Sequence, residues 1–150
     1  MTQTAWAHLP NAKHIDWVIA SLKVHPEKWP AANNAAYNAA KNAAWHAARI
    51  AAWAAAWKAA SDAAYDAAWT AAIDAARSAA RDAGWDAAWY AASDAILALI
   101  AYDDCGYMIE SEIDEIKILA KLGDAKTLLL LPACIVFNET KALTNASIAV

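Results

Sequence analysis

From residue 31 to residue 94 the chain reads as sixteen consecutive four-residue units of the form Ala-Ala-x-x, varied only where Gly84 replaces the second alanine. Alanine is the strongest helix former and packs weakly on a pleated surface, and the run contains no proline, so these units predict helices and not strands. A helix turns about 100° per residue, so a repeat of four advances by about 40° per unit and winds fully round within about nine units. One unbroken helix would be about 96 Å long, more than a domain of this size can cover. The run therefore divides into several helices, with breaks expected near 46–50, at Ser61 and Asp62, and at Gly84.

The third position of each unit carries most of the large side chains: Tyr37, Trp45, Arg49, Trp53, Trp57, Tyr65, Trp69, Ile73, Arg77, Arg81, Trp85 and Trp89. They form i, i+4 ridges, the rows that interlock where helices cross steeply, and the paired alanines leave shallow grooves that let backbones approach. The fourth position carries Asp62, Asp66, Asp74, Asp82, Asp86 and Asp94 and reads as the solvated face. The expected fold is all-α, a compact bundle of about five to eight Ala-rich helices with i, i+4 aromatic ridges.

A single helical domain is expected over 1–150. Residues 1–30 form an N-terminal helix and corner: Asn11 can cap a helix running to about Val24, with Ile15, Val18, Ile19 and Leu22 as its apolar stripe. Pro30 biases Trp29 away from helix and itself suits the first turn of the Ala-rich helix. The repeat helices occupy 31–102 and end in an acidic turn before Gly106. C-terminal helices fill 111–137. There Ser111 and Asp114 fit a capping box, Asp124 can cap the last helix, and Pro132 should stop or kink it. A polar tail covers 138–150.

Alanine contributes little area per residue, so nine tryptophans must supply much of the buried surface. They also exceed what an Ala-rich bundle can hide, which predicts a homo-oligomer. The net charge of −4, with no Lys/Arg cluster, lacks the electrostatic footprint of a duplex nucleic-acid binder. The apolar stretch 127–137 is about half a membrane span, and the first residues have neither a basic n-region nor an apolar h-region, so no membrane association and no signal peptide are expected. Cys105 and Cys134, far apart and outside any CxxC, fit reduced thiols and a cytoplasmic setting.

The Ala-Ala-Trp-x repeat, the stretch LIAYDDCGYM at 99–108, LAKLGD at 119–124 and LLLLPACIVF at 128–137 together resemble a group of small Ala-rich, Trp-punctuated tetrapeptide-repeat helical proteins of bacteriophages and bacteria. The resemblance implies a helical fold and a phage or prophage setting, and it carries over no catalytic residue. By analogy with other small phage accessory proteins, it points to inhibition of host defence, in some cases by sequestering nucleotide signals.

Catalytic constellations are scarce. HExxH, a Walker loop, GxSxG and Glu-x-x-His are all missing, and His8, His14, His25 and His46 show no metal-ligand spacing. No enzyme activity and no cofactor or metal are expected. Asp103, Asp104 and Cys105 could offer carboxylates or a nucleophile, but turn and helix-end duty suits them better. The ridge is more informative. Arg77 and Arg81 place two guanidinium groups on one stretch, flanked by Trp85 and Trp89 on one side and Trp69 and Trp57 on the other. Rings that stack on bases and guanidinium groups that grip phosphates are what a nucleotide pocket needs. The expected function is non-enzymatic binding: sequestration of a small nucleotide-like immune signal by Arg77, Arg81, Trp85, Trp89, Trp69 and Trp57. The alternative is a protein-interaction inhibitor or immunity-type factor with an exposed Trp-rich helical face.

Overall fold

The computed structural model describes residues 6–39, 42–60, 63–83, 86–102, 104–122 and 124–149, and these are all-helical, without a strand. In order they form α1 (Ala12–Val24), α2 (Lys28–Ala39), α3 (Asn42–Ala60), α4 (Ala63–Ala83), α5 (Asp86–Ala101), a 3₁₀ turn (Cys105–Glu110), α6 (Ile113–Lys121) and α7 (Ala125–Ala149).

The repeat is divided as its drifting ridge requires. Helix α3 ends at Ala60 and α4 begins at Ala63, and α4 ends at Ala83 before α5 starts at Asp86. Ser61, Asp62 and Gly84 themselves lie outside the described residues. The break expected at 46–50 does not occur, because α3 runs straight through it. Trp45, Ala48 and Ala52 form one buried face there, and no Gly or Pro intervenes. Instead α2 ends at Ala39 and α3 begins at Asn42, a boundary for which composition gives no signal.

What these helices bury is mostly the second alanine of the units, though Ala44 is half-covered, Ala64 is exposed, and the first-position Ala79 and Ala91 are buried as well. Ala32 and Ala36 of α2, Ala48, Ala52 and Ala56 of α3, Ala68, Ala72 and Ala76 of α4, and Ala88 and Ala92 of α5 are all at 0–2 % exposure. The third position stands about 100° further round the helix, so its residues flank the seams instead of filling them. Trp45 is buried, Tyr65, Trp69 and Trp89 are partly covered, and Tyr37, Trp53 and Trp57 are exposed.

Helix α7 packs against α2, α3, α5, α6 and the 3₁₀ turn. Its Leu128, Leu129, Leu130, Leu131, Ala133, Cys134 and Val136 are fully buried, and a helix apolar all round belongs in the middle. One continuous helix passes through Pro132 and on to Ala149, in place of two short pieces and a tail. An interior proline costs about 3 kcal/mol or more. Burying one leucine stabilises by about 1.5–3 kcal/mol, so the leucines before Pro132 outweigh that cost.

The expected caps are partly replaced by tertiary bonds. Asn11 precedes α1 but makes no side-chain cap. Its amide donates to the carbonyls of Leu99 at 2.7 Å and Tyr102 at 2.8 Å and accepts from the Gly106 N–H at 3.0 Å, tying the start of α1 to the end of α5. A Cβ at Gly106 would lie 2.3 Å from His14 Nδ1, so this approach requires glycine. The capping box at Ser111 does not form, since the 3₁₀ turn brings the Tyr107 carbonyl within 3.2 Å of the Ser111 hydroxyl, which donates to it. Asp124 does cap α7, accepting from the Thr127 N–H at 3.3 Å. Trp29 lies inside the first turn of α2, with its ring buried and its indole N–H donating to Ser21 Oγ at 2.7 Å; that burial overrides the bias from Pro30.

Candidate functional site

Because alanines line the α3–α5 and α4–α5 seams, the large side chains beside them converge at the seam mouths. There they enclose a cavity of about 260 Å³, lined from α3 by Arg49 and Trp53, from α4 by Trp69, Ile73 and Arg77, and from α5 by Trp89, Tyr90, Ser93, Asp94 and Leu97. Trp53 and Trp69 meet edge to face with ring centres 5.2 Å apart, and Trp89 and Tyr90 are tilted together at 4.6 Å. The Arg77 guanidinium lies 5.1 Å from the centre of the Trp89 ring, a cation–π contact.

Two polar features set this cavity apart from an ordinary packing defect. Arg49 donates from Nε to Asp94 Oδ1 at 3.2 Å, fixing one guanidinium at the rim against a carboxylate that is largely covered. Burial pushes the Asp94 carboxyl up from 3.8 to about 6, against the opposing pull of Arg49. In addition, Trp69 Nε1, Trp89 Nε1 and Ser93 Oγ are buried with no hydrogen-bond partner among the described residues. All three residues line this same cavity.

Of the six residues expected from sequence, Arg77, Trp69 and Trp89 come together here. Trp57 does not: it projects from α3 at 66 % exposure, outside the cavity lining. The Arg81 side chain and Trp85 lie outside the described residues. The second guanidinium at the cavity is Arg49, from a different helix. Asp94 is corrected too, from solvated face to buried wall, because α5 is covered on several sides. Arg49 and Trp53 already stood on the ridge; the missing information was which helices pair.

Other chemistry is less developed. Beside α1 a cavity of about 210 Å³ holds Lys13, His14 and Glu110, but these polar groups engage one another, with His14 Nε2 2.9 Å and Lys13 Nζ 3.7 Å from the Glu110 carboxylate. Burial pushes the Cys105 thiol up to about 12 and the Cys134 thiol to about 11, so both are neutral at pH 7 and poor nucleophiles. No group of three metal-ligating side chains forms among the described residues, and none of their helices is long and apolar enough to cross a membrane. Compared with protein-family models, curated proteins and solved structures, the chain matches none.

Proposed function

We propose that the protein is a non-enzymatic binder that sequesters a small nucleotide-like ligand in the cavity between α3, α4 and α5. The observation that carries this reading is the set of unpartnered donors, Trp69 Nε1, Trp89 Nε1 and Ser93 Oγ, beside Arg77 and Arg49. A buried donor without a partner costs about 1–3 kcal/mol, so these three favour a ligand rich in acceptors. The indole rings favour a flat one, since base–aromatic stacking is worth about 1–3 kcal/mol per base. Guanidinium groups favour an anion that accepts charge-assisted bonds, and a phosphate does so bidentately. In the phage or prophage setting implied by the resemblance, such a binder would act as a sponge for a host immune signal.

A second reading, an inhibitor that docks on a host protein, is favoured by the apolar stripe on α3, where Ile50 is 71 %, Trp53 53 % and Trp57 66 % exposed. Thermal-shift and tryptophan-fluorescence titrations with nucleotides separate the two. On the binder reading a nucleotide raises Tm with the logarithm of its excess over Kd, and Arg77→Ala weakens binding by about 1.5–3 kcal/mol while the variant stays folded. If a folded Arg49→Ala, Arg77→Ala protein binds every nucleotide as the parent does, the binder reading is wrong.

A further inference from the structure

A second cavity adjoins the first. It too measures about 260 Å³ and is lined by His46, Arg49, Ile50, Trp53 and Leu97, of which Arg49, Trp53 and Leu97 also line the aromatic cavity. Ligand pockets usually span about 300–1,000 Å³. Neither lobe reaches that range alone, and a ligand crossing the divide at Arg49 and Trp53 would occupy both. Resting on the nucleotide reading above, we propose that the ligand is a dinucleotide, two bases joined by one phosphodiester, with one base in each lobe and its phosphate on Arg49.

Arg49 is suited to that junction by geometry. Its bond to Asp94 runs through Nε, and a guanidinium carries five N–H donors, so among the described residues the two terminal nitrogens remain for a bidentate grip on phosphate. Asp94 is then a positioning residue that holds the guanidinium at the divide. Charge agrees with a single diester: Arg49 and Arg77 against Asp94 leave one positive charge among the lining side chains. One base would lie among Trp69, Trp89 and Trp53, with the orphaned indole N–H groups and Ser93 hydroxyl turned to its acceptors. The other would lie against Ile50 and Trp53, under His46, in the more open lobe.

Titration calorimetry on the full chain tests this with ApA, GpG, CpC and UpU against the corresponding 5′-mononucleotides, and with NAD⁺ as a pyrophosphate-linked arm. The expected result is that at least one dinucleoside monophosphate binds about 10–100-fold tighter than its mononucleotide, the value of a second stacked base. The double variant His46→Ala, Ile50→Ala, which places alanine at two exposed positions of the second lobe, should erase that preference, read as the ratio of dinucleotide to mononucleotide affinity. Equal affinity for one base and two, or a preference that survives the double variant, overturns the two-lobe assignment but leaves the nucleotide reading standing. Tighter binding of NAD⁺ than of every dinucleoside monophosphate overturns the diester. Binding of none of these probes overturns both.

Discussion

Asp94 carries a pH signature set by its burial. Its folded value near 6 lies above the ordinary 3.8, so the native protein holds this proton more tightly than the unfolded chain does. The stability it contributes is therefore fully present below about pH 4, declines as pH rises toward 6 and is flat above, for a total of about 3 kcal/mol at about 1.4 kcal/mol per unit. Denaturant unfolding of Asp94→Asn should lack this decline, and an unchanged profile would show that Asp94 is not its source. The indoles make a different test. Trp89→Phe keeps most of the ring and removes an N–H that has no partner among the described residues, so the unliganded protein should change by less than about 1 kcal/mol. Its nucleotide affinity should nonetheless fall several-fold. Equal losses in both would mean that the indole N–H serves packing alone. Arg77, Trp69 and Trp89 were legible in the sequence because they share a ridge, whereas Asp94 was not: its fourth-position slot is solvated in most units, and only the crowding around α5 distinguishes it.

Each repeat helix has to choose which of two adjacent alanines to turn inward, and the two are chemically identical, so no residue-level signal selects between them. Tertiary packing selects the second in most units, and in α5 it covers both Ala91 and Ala92. Helix identity and the divisions near 61–62 and 84 could be read from propensity and ridge drift, but the register that decides which third-position residues share a seam could not. Nor could the continuity of α7 through Pro132, because the local rule against interior proline ignores the leucines buried beside it. The register is testable by overpacking. Ala72 is fully buried, while Ala67, five residues earlier on α4, is exposed. Ala72→Leu should cost about 1–3 kcal/mol as neighbouring helices are forced apart, and Ala67→Leu should stay within about 0.5 kcal/mol. Chemical denaturation that ranks the two variants the other way would mean that the first alanine faces the core.

At the scale of the whole molecule, close Ala packing draws the helices together but leaves too little inter-helix volume for nine tryptophans, and the surplus emerges on the surface. Ile50, Trp53 and Trp57 make a stripe along α3, while Tyr107, Ile118 and Leu122 are exposed elsewhere. Isolated apolar residues on a surface mean little, but contiguous apolar patches above a few hundred Å² mark contacts. We expect the Trp57 end of this stripe, which lines neither lobe of the site, to be covered by a second copy of the chain, leaving Ile50 and Trp53 to the ligand. Light scattering should then give a mass above 16 kDa at micromolar concentration. Trp57→Glu should lower it to the monomer, since a carboxylate desolvated at a contact without a partner costs several kcal/mol. Nucleotide affinity separates this contact from the binding site: the Trp57→Glu protein should keep it within a few-fold if the two surfaces are independent. A parent chain that scatters as a 16 kDa monomer removes the self-association argument, and Trp57 would then be free for the protein-docking role that the same stripe supports.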